Sequence, residues 1–200
     1  MKITIIGASG HGKVVAEIAK LNGYEKIEFL DDDESLKSCG EYPVVGKSDK
    51  ALEIDNDIFI AIGNCQIRKQ FIEKLNNKSI PKLIHPEAVV ANDVVIEKGT
   101  VIMAGVVINP GAYIGKGCII NTCSSVDHDC IVKNYTHIAV GAHLCGTVIV
   151  GEESCISAGA TVINNVCISD NTIIGAGGVV VTDIIESGVY IGIPVRKMEK

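Results

Sequence analysis

An aliphatic residue recurs at every sixth position of this chain from residue 90 to residue 180, without a break. The series is Val90, Ile96, Ile102, Ile108, Ile114, Ile120, Val126, Val132, Ile138, Leu144, Val150, Ile156, Val162, Ile168, Ile174 and Val180. An amphipathic helix needs an apolar spacing near 3.6, and a half-buried strand needs a spacing of 2. A strict period of six fits neither. It predicts short strands joined by corners, with three such units closing one triangular coil and the aliphatic residues stacking inside.

Two accompanying series describe the corners of these coils. Four residues after the aliphatic position comes a set of mostly small residues that includes Thr100, Ala112, Cys118, Ser124, Cys130, Thr136, Ala142, Ser154, Ala160 and Thr172. The position before it is often Gly, as at Gly99, Gly105, Gly111, Gly117, Gly141, Gly159 and Gly177. Glycine supplies the backbone angles of a tight corner, and small residues fit where the corner leaves little room. Known hexapeptide prisms are left-handed, an exception to the usual crossover rule, so we expect a left-handed parallel β-helix. The segment 188–194 breaks the period and is expected to cap the open end.

The first 85 residues lack this period and show the pattern of an α/β domain. The predicted strands span residues 2–6, 26–30 and 57–62, and the predicted helices span residues 14–21 and 66–75. Strand, glycine-rich turn, helix and strand form a βαβ unit, whose ligand site lies at the carboxyl ends of the strands. We therefore predict a Rossmann-like α/β domain over residues 1–85, followed by the β-helix over residues 86–200.

The turn after the first predicted strand reads Gly7-Ala8-Ser9-Gly10-His11-Gly12. Its glycine spacing is GxxGxG rather than the dinucleotide fingerprint GxGxxG, and a simple tight turn also explains it. Asp31 and Asp32 follow the second strand, where a carboxylate can accept hydrogen bonds from a ribose, and Gly63 ends the third strand. These positions predict a nucleoside or nucleotide-sugar site. The pair Arg68-Lys69 on the next helix is expected to be only a solvated face.

Composition excludes several classes of function. The formal net charge is −6, which disfavours nucleic acid, because phosphate binding needs clustered Lys and Arg. The apolar run at the N-terminus is too short for a signal peptide, and no run approaches a membrane-spanning length. We therefore expect a soluble, cytoplasmic protein without membrane insertion. The chain has 8 Cys but no CxxC pair, so reduced cysteines acting as small buried residues are expected, as at Cys118 and Cys130.

The histidines within the repeat are the main candidates for chemistry. His128 lies in Asp127-His128-Asp129, and His137 and His143 follow within one coil's length. A His–carboxylate pair can act as a general base, since the carboxylate fixes the tautomer of the imidazole and raises its basicity. Neighbouring strand residues point to opposite faces, so Asp129 reaches His128 only if the chain bends there, and Asp127 is the competing partner. A zinc site built from three histidines of a trimer is the alternative, and we expect no metal.

Motifs in both predicted domains resemble those of the bacterial sugar acyltransferases, a sialic acid O-acetyltransferase-like family. The resemblance is nearest to the UDP-4-amino-sugar N-acetyltransferase of bacillosamine biosynthesis and spans nearly the whole chain. The motifs that carry it are Ile6-Gly7-Ala8-Ser9-Gly10-His11-Gly12, Phe29-Leu30-Asp31-Asp32, Phe59-Ile60-Ala61-Ile62-Gly63-Asn64, Asn121-Thr122-Cys123-Ser124-Ser125-Val126-Asp127-His128-Asp129-Cys130 and Gly192-Ile193-Pro194.

The resemblance implies a homotrimer with active sites between subunits, acetyl-CoA as co-substrate and a nucleotide-sugar substrate. It implies that His128 is the catalytic base and that Asp129 strengthens it. The family uses Glu at the position of Asp129 in the bacillosamine enzyme, so the shorter side chain is a departure. The remaining implied roles are substrate binding by Ser9, Gly10, His11, Asp31, Asp32, Gly63 and Asn121, and acetyl-CoA binding by His137, Ala158 and Ala176.

Four functions are therefore weighed. The leading one is N-acetylation of a nucleotide-linked 4-amino-4,6-dideoxy sugar, with UDP as the expected nucleotide and acetyl-CoA as the donor. The amine is expected to attack the thioester directly, with His128 as general base. The second is O-acetylation of a sialic acid or another sugar hydroxyl. The third is a carbonic anhydrase-like metalloenzyme, whose ligand spacing the three histidines do not match. The fourth is a catalytically silent scaffold.

Overall fold

The computed structural model describes residues 1–199. The chain divides into two compact units, the N-terminal unit Met1–Pro86 and the β-helix unit, which begins at Glu87. The sequence places this division after residue 85. Lys200, the last residue of the predicted β-helix, lies outside the described residues.

The N-terminal unit is an α/β fold. Its elements are β1 (Lys2–Ile6), α1 (Gly10–Leu21), β2 (Lys26–Leu30), β3 (Ser38–Cys39), β4 (Tyr42–Gly46), a 3₁₀ helix (Ser48–Glu53), β5 (Asp57–Ile60), α2 (Cys65–Lys74) and β6 (Leu83–Ile84). Five strands form a sheet in the order β3-β4-β2-β1-β5. β1 lies parallel to both β2 and β5, and β4 is parallel to β2, so the carboxyl ends of all four meet at one edge. The predicted Rossmann-like α/β arrangement is confirmed.

The main differences from the sequence prediction concern α1, β5 and the two strands β3 and β4. α1 begins at Gly10 rather than at residue 14, because the second half of the glycine-rich turn is already helical. β5 ends at Ile60, two residues before the predicted end. The strands β3 and β4 are not predicted at all, since β3 has two residues and β4 carries Pro43, which removes a backbone donor.

The second unit is a parallel β-helix with three faces, as predicted. Face 1 contains β7 (Val89–Val90), β10 (Val107–Ile108), β13 (Ser125–Val126), β16 (His143–Leu144), β19 (Thr161–Val162) and β22 (Val179–Val180). Face 2 contains β8 (Val95–Ile96), β11 (Tyr113–Ile114), β14 (Ile131–Val132), β17 (Ile149–Val150) and β20 (Cys167–Ile168). Face 3 contains β9 (Val101–Ile102), β12 (Ile119–Ile120), β15 (His137–Ile138), β18 (Cys155–Ile156), β21 (Thr172–Ile174), β23 (Gly188–Ile191) and β24 (Arg196–Lys197).

Strands one coil apart pair in parallel with a shift of eighteen residues, so that like residues stack. Ile120, for example, pairs with Ile102 on one side and Ile138 on the other. From Ile96 to Val180 every residue of the aliphatic series is buried, and Val90 at the first coil is half-buried. The small residues four positions later are buried as well, among them Cys118, Cys130 and Thr136. The six-residue period therefore sets both the register and the core of this unit.

Each corner turns through one residue in the left-handed backbone conformation. From Gly99 to Gly177 every sixth residue has a φ between 55 and 77°. Glycine holds half of these positions, and the others hold Cys123, Asp129, Tyr135, Thr147, Glu153, Asn165 and Asn171. Glycine adopts this conformation without steric cost, whereas a side chain costs roughly 1–2 kcal/mol. Residues at the non-glycine corners are thus held in place by the stacked coils around them.

The segment that breaks the period ends face 3 with a hairpin. β23 pairs in parallel with β21, aligning Val189 with Ile173, and then pairs antiparallel with β24. An antiparallel strand at this position covers the edge that a further coil would otherwise occupy.

Within residues 1–199, neither α1 nor α2 nor any other helix has the length and apolar character needed to cross a membrane.

Candidate active site

His128 and Asp129 form a hydrogen-bonded pair at a corner of the β-helix. They lie in the corner between face 1 and face 2, named corner 1–2, which follows β13. His128 Nδ1 lies 2.8 Å from Asp129 Oδ2, and both side chains are more than half exposed. A carboxylate only accepts hydrogen bonds, so Nδ1 carries the proton and Nε2 keeps its lone pair. The imidazole is therefore set up to accept a proton at Nε2.

The bend that this pair requires comes from the left-handed corner. Asp129 has a φ of 58°, and this conformation turns its side chain back towards His128 instead of to the opposite face. Of the two partners that the sequence leaves open, the structure thus pairs His128 with Asp129. The feature that decides it is the six-residue series of left-handed positions, to which Asp129 belongs.

Asp127 is engaged in holding the corner. Its Oδ1 accepts a hydrogen bond from Asn109 Nδ2 at 2.7 Å and another from the backbone N–H of His128 at 2.8 Å. These two bonds hold the pKa of Asp127 below its usual range, so the side chain stays ionised. Asp127 therefore contributes charge near the imidazole rather than a hydrogen bond to the ring.

The pKa of His128 is raised above its ordinary value. The hydrogen bond to Asp129 is the largest cause, desolvation opposes it as the second-largest, and the charges of Asp127 and Asp129 add to the rise. An imidazole of raised basicity suits proton transfer from an amine or a hydroxyl.

A second group of predicted residues lies on face 3 and at the corner between face 3 and face 1, named corner 3–1. Asn121, Ala158 and Ala176 follow β12, β18 and β21 in this corner, and His137 lies in β15. Asn121 Nδ2 lies 3.1 Å from His137 Nε2. Asn121 Oδ1 accepts the backbone N–H of Thr122 at 2.8 Å, which fixes the orientation of the amide. An amide NH₂ only donates, so in this arrangement His137 Nε2 is the acceptor.

The two groups lie at different corners of the prism within one chain. His128 and Asp129 are at corner 1–2, whereas Asn121, Ala158 and Ala176 are at corner 3–1, and the width of face 1 separates the two corners. The structure therefore brings His128 to Asp129 and Asn121 to His137, but it does not bring the two pairs together within one copy of the chain.

In the N-terminal unit, four of the predicted substrate residues line one cleft of about 290 Å³ at the carboxyl edge of the sheet. They are Ser9, Asp31, Asp32 and Gly63. Asp31 Oδ2 accepts the backbone N–H of Ala8 at 2.7 Å, which fixes the glycine-rich turn over β2. The cleft is thus built from the ends of β1, β2 and β5, as the βαβ pattern predicts.

Asp32 is held by a residue that the sequence analysis missed. Its Oδ1 accepts the backbone N–H of Ser48 at 3.0 Å and the Ser48 hydroxyl at 2.8 Å, and these bonds hold the pKa of Asp32 below its usual range. Ser48 also lines the cleft. No local pattern marks it, because its partner lies sixteen residues earlier in the chain.

Arg68 is buried and His11 is half-buried, and neither residue lines the cleft. His11 Nε2 is buried and has no hydrogen-bond partner among residues 1–199. Burial, followed by the charge of Arg68, lowers the pKa of His11 to about 4, so the ring is neutral. Arg68 is 1% exposed and donates to the carbonyls of Ile62 and Gly63 at 2.9 Å each. The expectation of a solvated face is wrong for Arg68, whose guanidinium holds the loop after β5.

The three histidines of the metal alternative lie apart. His128 is at corner 1–2, His137 is on face 3, and His143 is on face 1, with its Nδ1 2.9 Å from Ser125 Oγ. Among residues 1–199, no three His, Cys, Asp or Glu side chains come together as a metal site. All eight cysteines are free thiols, and burial raises the pKa of Cys130, the one next to the pair, to about 11. Such a thiol is a poor nucleophile.

Two protein-family models match the chain, one in each unit. The PglD N-terminal domain model matches residues 2–75, and the bacterial transferase hexapeptide model of six repeats matches residues 93–128. A curated relative, UDP-N-acetylbacillosamine N-acetyltransferase of Bacillus subtilis, is 36% identical over 110 residues. That match covers 51% of this chain and 51% of the relative, so the chain spans about half the length of the curated relative it matches.

Two solved structures match over both units. The acetyltransferase domain of PglB from Neisseria gonorrhoeae, in complex with acetyl coenzyme A, has 39% sequence identity and a TM-score of 0.95, and the match covers 98% of each chain. PerB from Caulobacter crescentus, in complex with CoA and GDP-perosamine, has 36% identity and a TM-score of 0.94, and the match covers 100% of this chain and 98% of that one. The likeness therefore covers both units of the chain.

Proposed function

This chain belongs to the bacterial sugar acyltransferase family, enzymes that use an acyl-coenzyme A, and from that premise we propose the acceptor and the base. The proposed reaction is acetylation of the 4-amino group of a UDP-linked 4-amino-4,6-dideoxy sugar by acetyl-CoA. The proposed general base is His128. The observation that carries the proposal is the 2.8 Å hydrogen bond from His128 Nδ1 to Asp129, which leaves Nε2 free to accept a proton.

The proposed chemistry needs no acyl-enzyme. The neutral amine attacks the thioester carbonyl, a C–N bond forms, and the carbonyl oxygen becomes an oxyanion. His128 Nε2 takes the proton that the new ammonium must lose. The C–S bond then breaks, and the same proton passes from the imidazolium to the departing thiolate, so the products are the amide and free coenzyme A. Asp129 stabilises the imidazolium between these steps.

His137 is proposed to face the thioester. The contact between its Nε2 and Asn121 orients the ring, and the ring is proposed to donate a hydrogen bond to the oxyanion that forms on the thioester. Ala158 and Ala176, at corner 3–1 with Asn121, are proposed to contact acetyl-CoA through their backbone groups. In PerB and the PglB domain, coenzyme A or acetyl-CoA is bound in structures of the same fold.

The separation of the two corners supports a homotrimer with active sites between neighbouring prisms. Reacting atoms must come within about 3–3.5 Å of each other. His128 at corner 1–2 and the coenzyme residues at corner 3–1 of one chain do not meet, so a second copy must supply one of the two groups. Mixing the inactive variants His128→Ala and Ala176→Trp within one oligomer should then restore part of the activity. No recovery in mixed oligomers would contradict the shared site.

The cleft of the N-terminal unit is proposed to hold the nucleotide. Asp31 and Asp32 keep carboxylate lone pairs free for ribose hydroxyls, and Ser9 and Gly10 place the N-terminus of α1 at the cleft, where its dipole favours phosphate. His11, whose ring is half-buried and neutral, is proposed to hold that turn against the sugar diphosphate. Gly63 leaves open space at the same edge, since a Cβ built there meets nothing within 4 Å.

The test is release of coenzyme A from acetyl-CoA with a panel of acceptors. The panel contains the UDP-, dTDP- and GDP-linked 4-amino-4,6-dideoxy sugars and free sialic acid. We expect fastest release with the UDP-linked sugar, competition by free UDP, and loss of roughly 10²–10⁴ in kcat for His128→Ala with near-normal coenzyme binding. His143→Ala is the matched control, because His143 is an exposed histidine of the same β-helix without a carboxylate partner.

Each other outcome assigns a different function. Release with sialic acid that free UDP does not inhibit would replace N-acetylation by O-acetylation, which the same His–Asp pair could perform. Fastest release with the GDP-linked or dTDP-linked sugar would overturn the UDP assignment alone. Full activity of His128→Ala would remove the proposed base.

A further inference from the structure

Gly146 lies against the imidazole of His128. Gly146 is eighteen residues after His128, so it occupies the same corner position one coil further along. A Cβ built on Gly146 overlaps His128 Nε2 and lies 2.5 Å from Cε1 and 3.1 Å from Cδ2. These separations are far inside van der Waals contact, so any side chain at position 146 would displace the ring.

No other corner of the repeat has glycine at this position. From residue 92 to residue 176, in steps of six, a side chain is present everywhere except at Gly146. The other residues of the series are Asn92, Lys98, Ala104, Pro110, Lys116, Thr122, His128, Asn134, Val140, Glu152, Ala158, Asn164, Asp170 and Ala176. Alanine at three of these corners shows that the fold itself tolerates a Cβ there. The absence of a side chain at 146 therefore relates to the histidine beside it and not to the turn.

Gly111 stands in the same relation to Asp129. It lies one coil before Asp129, and a Cβ built on it overlaps Asp129 Oδ1 and lies 3.4 Å from Cγ. Gly111 has a φ of 77°, in the series of left-handed corner positions. Other members of that series carry side chains, among them Asn165 and Asn171, so glycine is not obligatory for the turn. The His128–Asp129 pair is thus bounded by a glycine on the coil before and a glycine on the coil after.

We propose that Gly146 and Gly111 are positioning residues of this active site, which hold the His128 ring and the Asp129 carboxylate in one hydrogen-bonded arrangement by leaving room for both. The inference deepens the proposed function and rests on it for the role of His128 as the base. The space beside Gly146 also keeps Nε2 open, and Nε2 is the atom that must take the proton from the acceptor. A methyl group at 146 would push the ring away from Asp129 and would narrow the approach to Nε2 at the same time.

The first test uses stability and does not depend on catalysis. Gly146→Ala should lower the melting temperature of the wild-type protein, because the new methyl group and the imidazole compete for one volume. In the His128→Ala background the same substitution should cost almost nothing, since the competing ring is gone. An equal loss in both backgrounds would overturn the proposal, because it would mean that the corner and not the histidine requires glycine.

The second test is a spectrum of the histidine rings in the absence of substrate. In the wild type, long-range ¹H–¹⁵N correlations of His128, assigned with the His128→Ala variant, should show the proton on Nδ1. Asp129 and Asp127 are the charged groups that face the ring from its own corner. Gly146→Ala and Gly111→Asn should each weaken the Nδ1 tautomer and lower the pKa of His128. Gly40→Asn is the control, because Gly40 has a φ of 62° and nothing within 4 Å of its Cβ position. Unchanged His128 spectra in both site variants would contradict the proposal.

The third test is kinetic. Gly146→Ala should lower kcat by about 100-fold, the typical cost of displacing a catalytic group by 1 Å, with little change in KM for acetyl-CoA. Gly111→Asn should lower kcat less and should move the acid limb of the pH profile to lower pH, as loss of the Asp129 contact requires. A rise in KM with unchanged kcat would assign the glycines to substrate binding instead. A wild-type protein without acetyltransferase activity would refute the proposed function alone, while the melting and spectroscopic results would still decide the role of the glycines.

Discussion

The two units of this chain bury their cores in different ways. In the β-helix, Ile138 is covered by Ile120 on the coil before and Ile156 on the coil after, so each layer repeats its neighbours. In the N-terminal unit, Phe29 lies against the ring of Tyr42, at 6.4 Å between centroids, and close to Gly12. A periodic core depends on a pattern of residue types, whereas the sheet core depends on particular pairs that are distant in sequence.

The same difference governs where functional side chains can stand. On the β-helix, corner residues such as His128 point away from the core, so chemistry is added without altering the buried layers. In the N-terminal unit, Asp31 and Asp32 line the cleft and also fix the turns around it through hydrogen bonds to Ala8 and Ser48. In the β-helix, the candidate functional residues are therefore not the ones that maintain the fold, whereas in the N-terminal unit the same residues do both.

The largest effect we predict would come from breaking one layer of the β-helix. Ile138→Ala removes a fully buried side chain from between two neighbours that the stacked coils hold in place, so the cavity can collapse very little. We expect a loss of about 3–5 kcal/mol in the stability of the β-helix unit. Hydrogen exchange measured by mass spectrometry resolves the two units separately.

Two results of that experiment would be informative. Ile185→Ala is the control, because Ile185 is 86% exposed and should cost no more than about 0.5 kcal/mol. Exchange in the N-terminal unit should stay unchanged. A loss below about 1 kcal/mol for Ile138→Ala would mean that the coils repack around the gap and that the periodic core is more plastic than its register suggests.

The next effect is a pH dependence of stability that we expect in the N-terminal unit and not in the β-helix. His11 has its pKa lowered from 6.5 to about 4, so the folded N-terminal unit binds fewer protons than the unfolded chain between these values. Its contribution to stability is complete above pH 6.5 and is lost as the pH falls towards 4, for a total of up to about 3 kcal/mol. We expect His11→Gln to remove this loss.

The measurement is the exchange stability of each unit at pH 7 and pH 4.5, in the wild type and in His11→Gln. The charge of Arg68 is the lesser cause of the lowered pKa of His11. Arg68→Met should therefore reduce, but not abolish, the pH range over which the N-terminal unit loses stability. If the N-terminal unit of His11→Gln loses as much stability between pH 7 and pH 4.5 as that of the wild type, a group other than His11 titrates in this range.

The sequence predicts the β-helix better than the sheet unit for the reason that the comparison gives. A period of six defines the inward residues, the corners and the register at once, so burial from Ile96 to Val180 follows from the pattern. The strand β4 depends on its pairing with β2, which a short window of sequence around β4 does not contain. The early start of α1 and the burial of Arg68 are not marked by the local pattern either.

The candidate site divides in the same manner. The sequence and the family resemblance propose His128 as the base and leave Asp127 and Asp129 as competing partners, since the choice depends on the φ of Asp129. Ser48 is missed because its contact with Asp32 is long-range, and Arg68 is assigned to a solvated face although its side chain is buried. Gly146 could have been found, since it is the one glycine in its six-residue series and it stands one coil after His128.

A smaller effect tests the cost of left-handed corners. Cys123 has a φ of 56° at a corner, whereas Cys167 lies in the strand β20, and both are exposed. Cys123→Gly should stabilise the β-helix by roughly 0.5–1 kcal/mol, because the relief of steric strain exceeds the entropy cost of glycine. Cys167→Gly should destabilise it by a similar amount, since only the entropy cost remains. Opposite signs in thermal melts support this account, and equal signs would refute it.

The smallest effect concerns the exposed pair at corner 1–2. The pKa of His128 is raised, whereas that of His11 is lowered. The hydrogen bond that Asp129 accepts from His128 Nδ1 raises the pKa of His128, so Asp129→Asn should lower this pKa, as an NMR titration of the ring would record. Stability linked to this pair is present below the unfolded pKa of histidine and is lost as the pH rises through the higher folded value. The effect on stability should be small and should weaken with added salt, because the pair is exposed to solvent.

Asp127→Asn is the matched control. Asp127 acts on the ring only through its charge, so this substitution should lower the pKa of His128 less than Asp129→Asn does. A larger shift from Asp127→Asn than from Asp129→Asn would mean that charge rather than the Nδ1 hydrogen bond sets the basicity of His128.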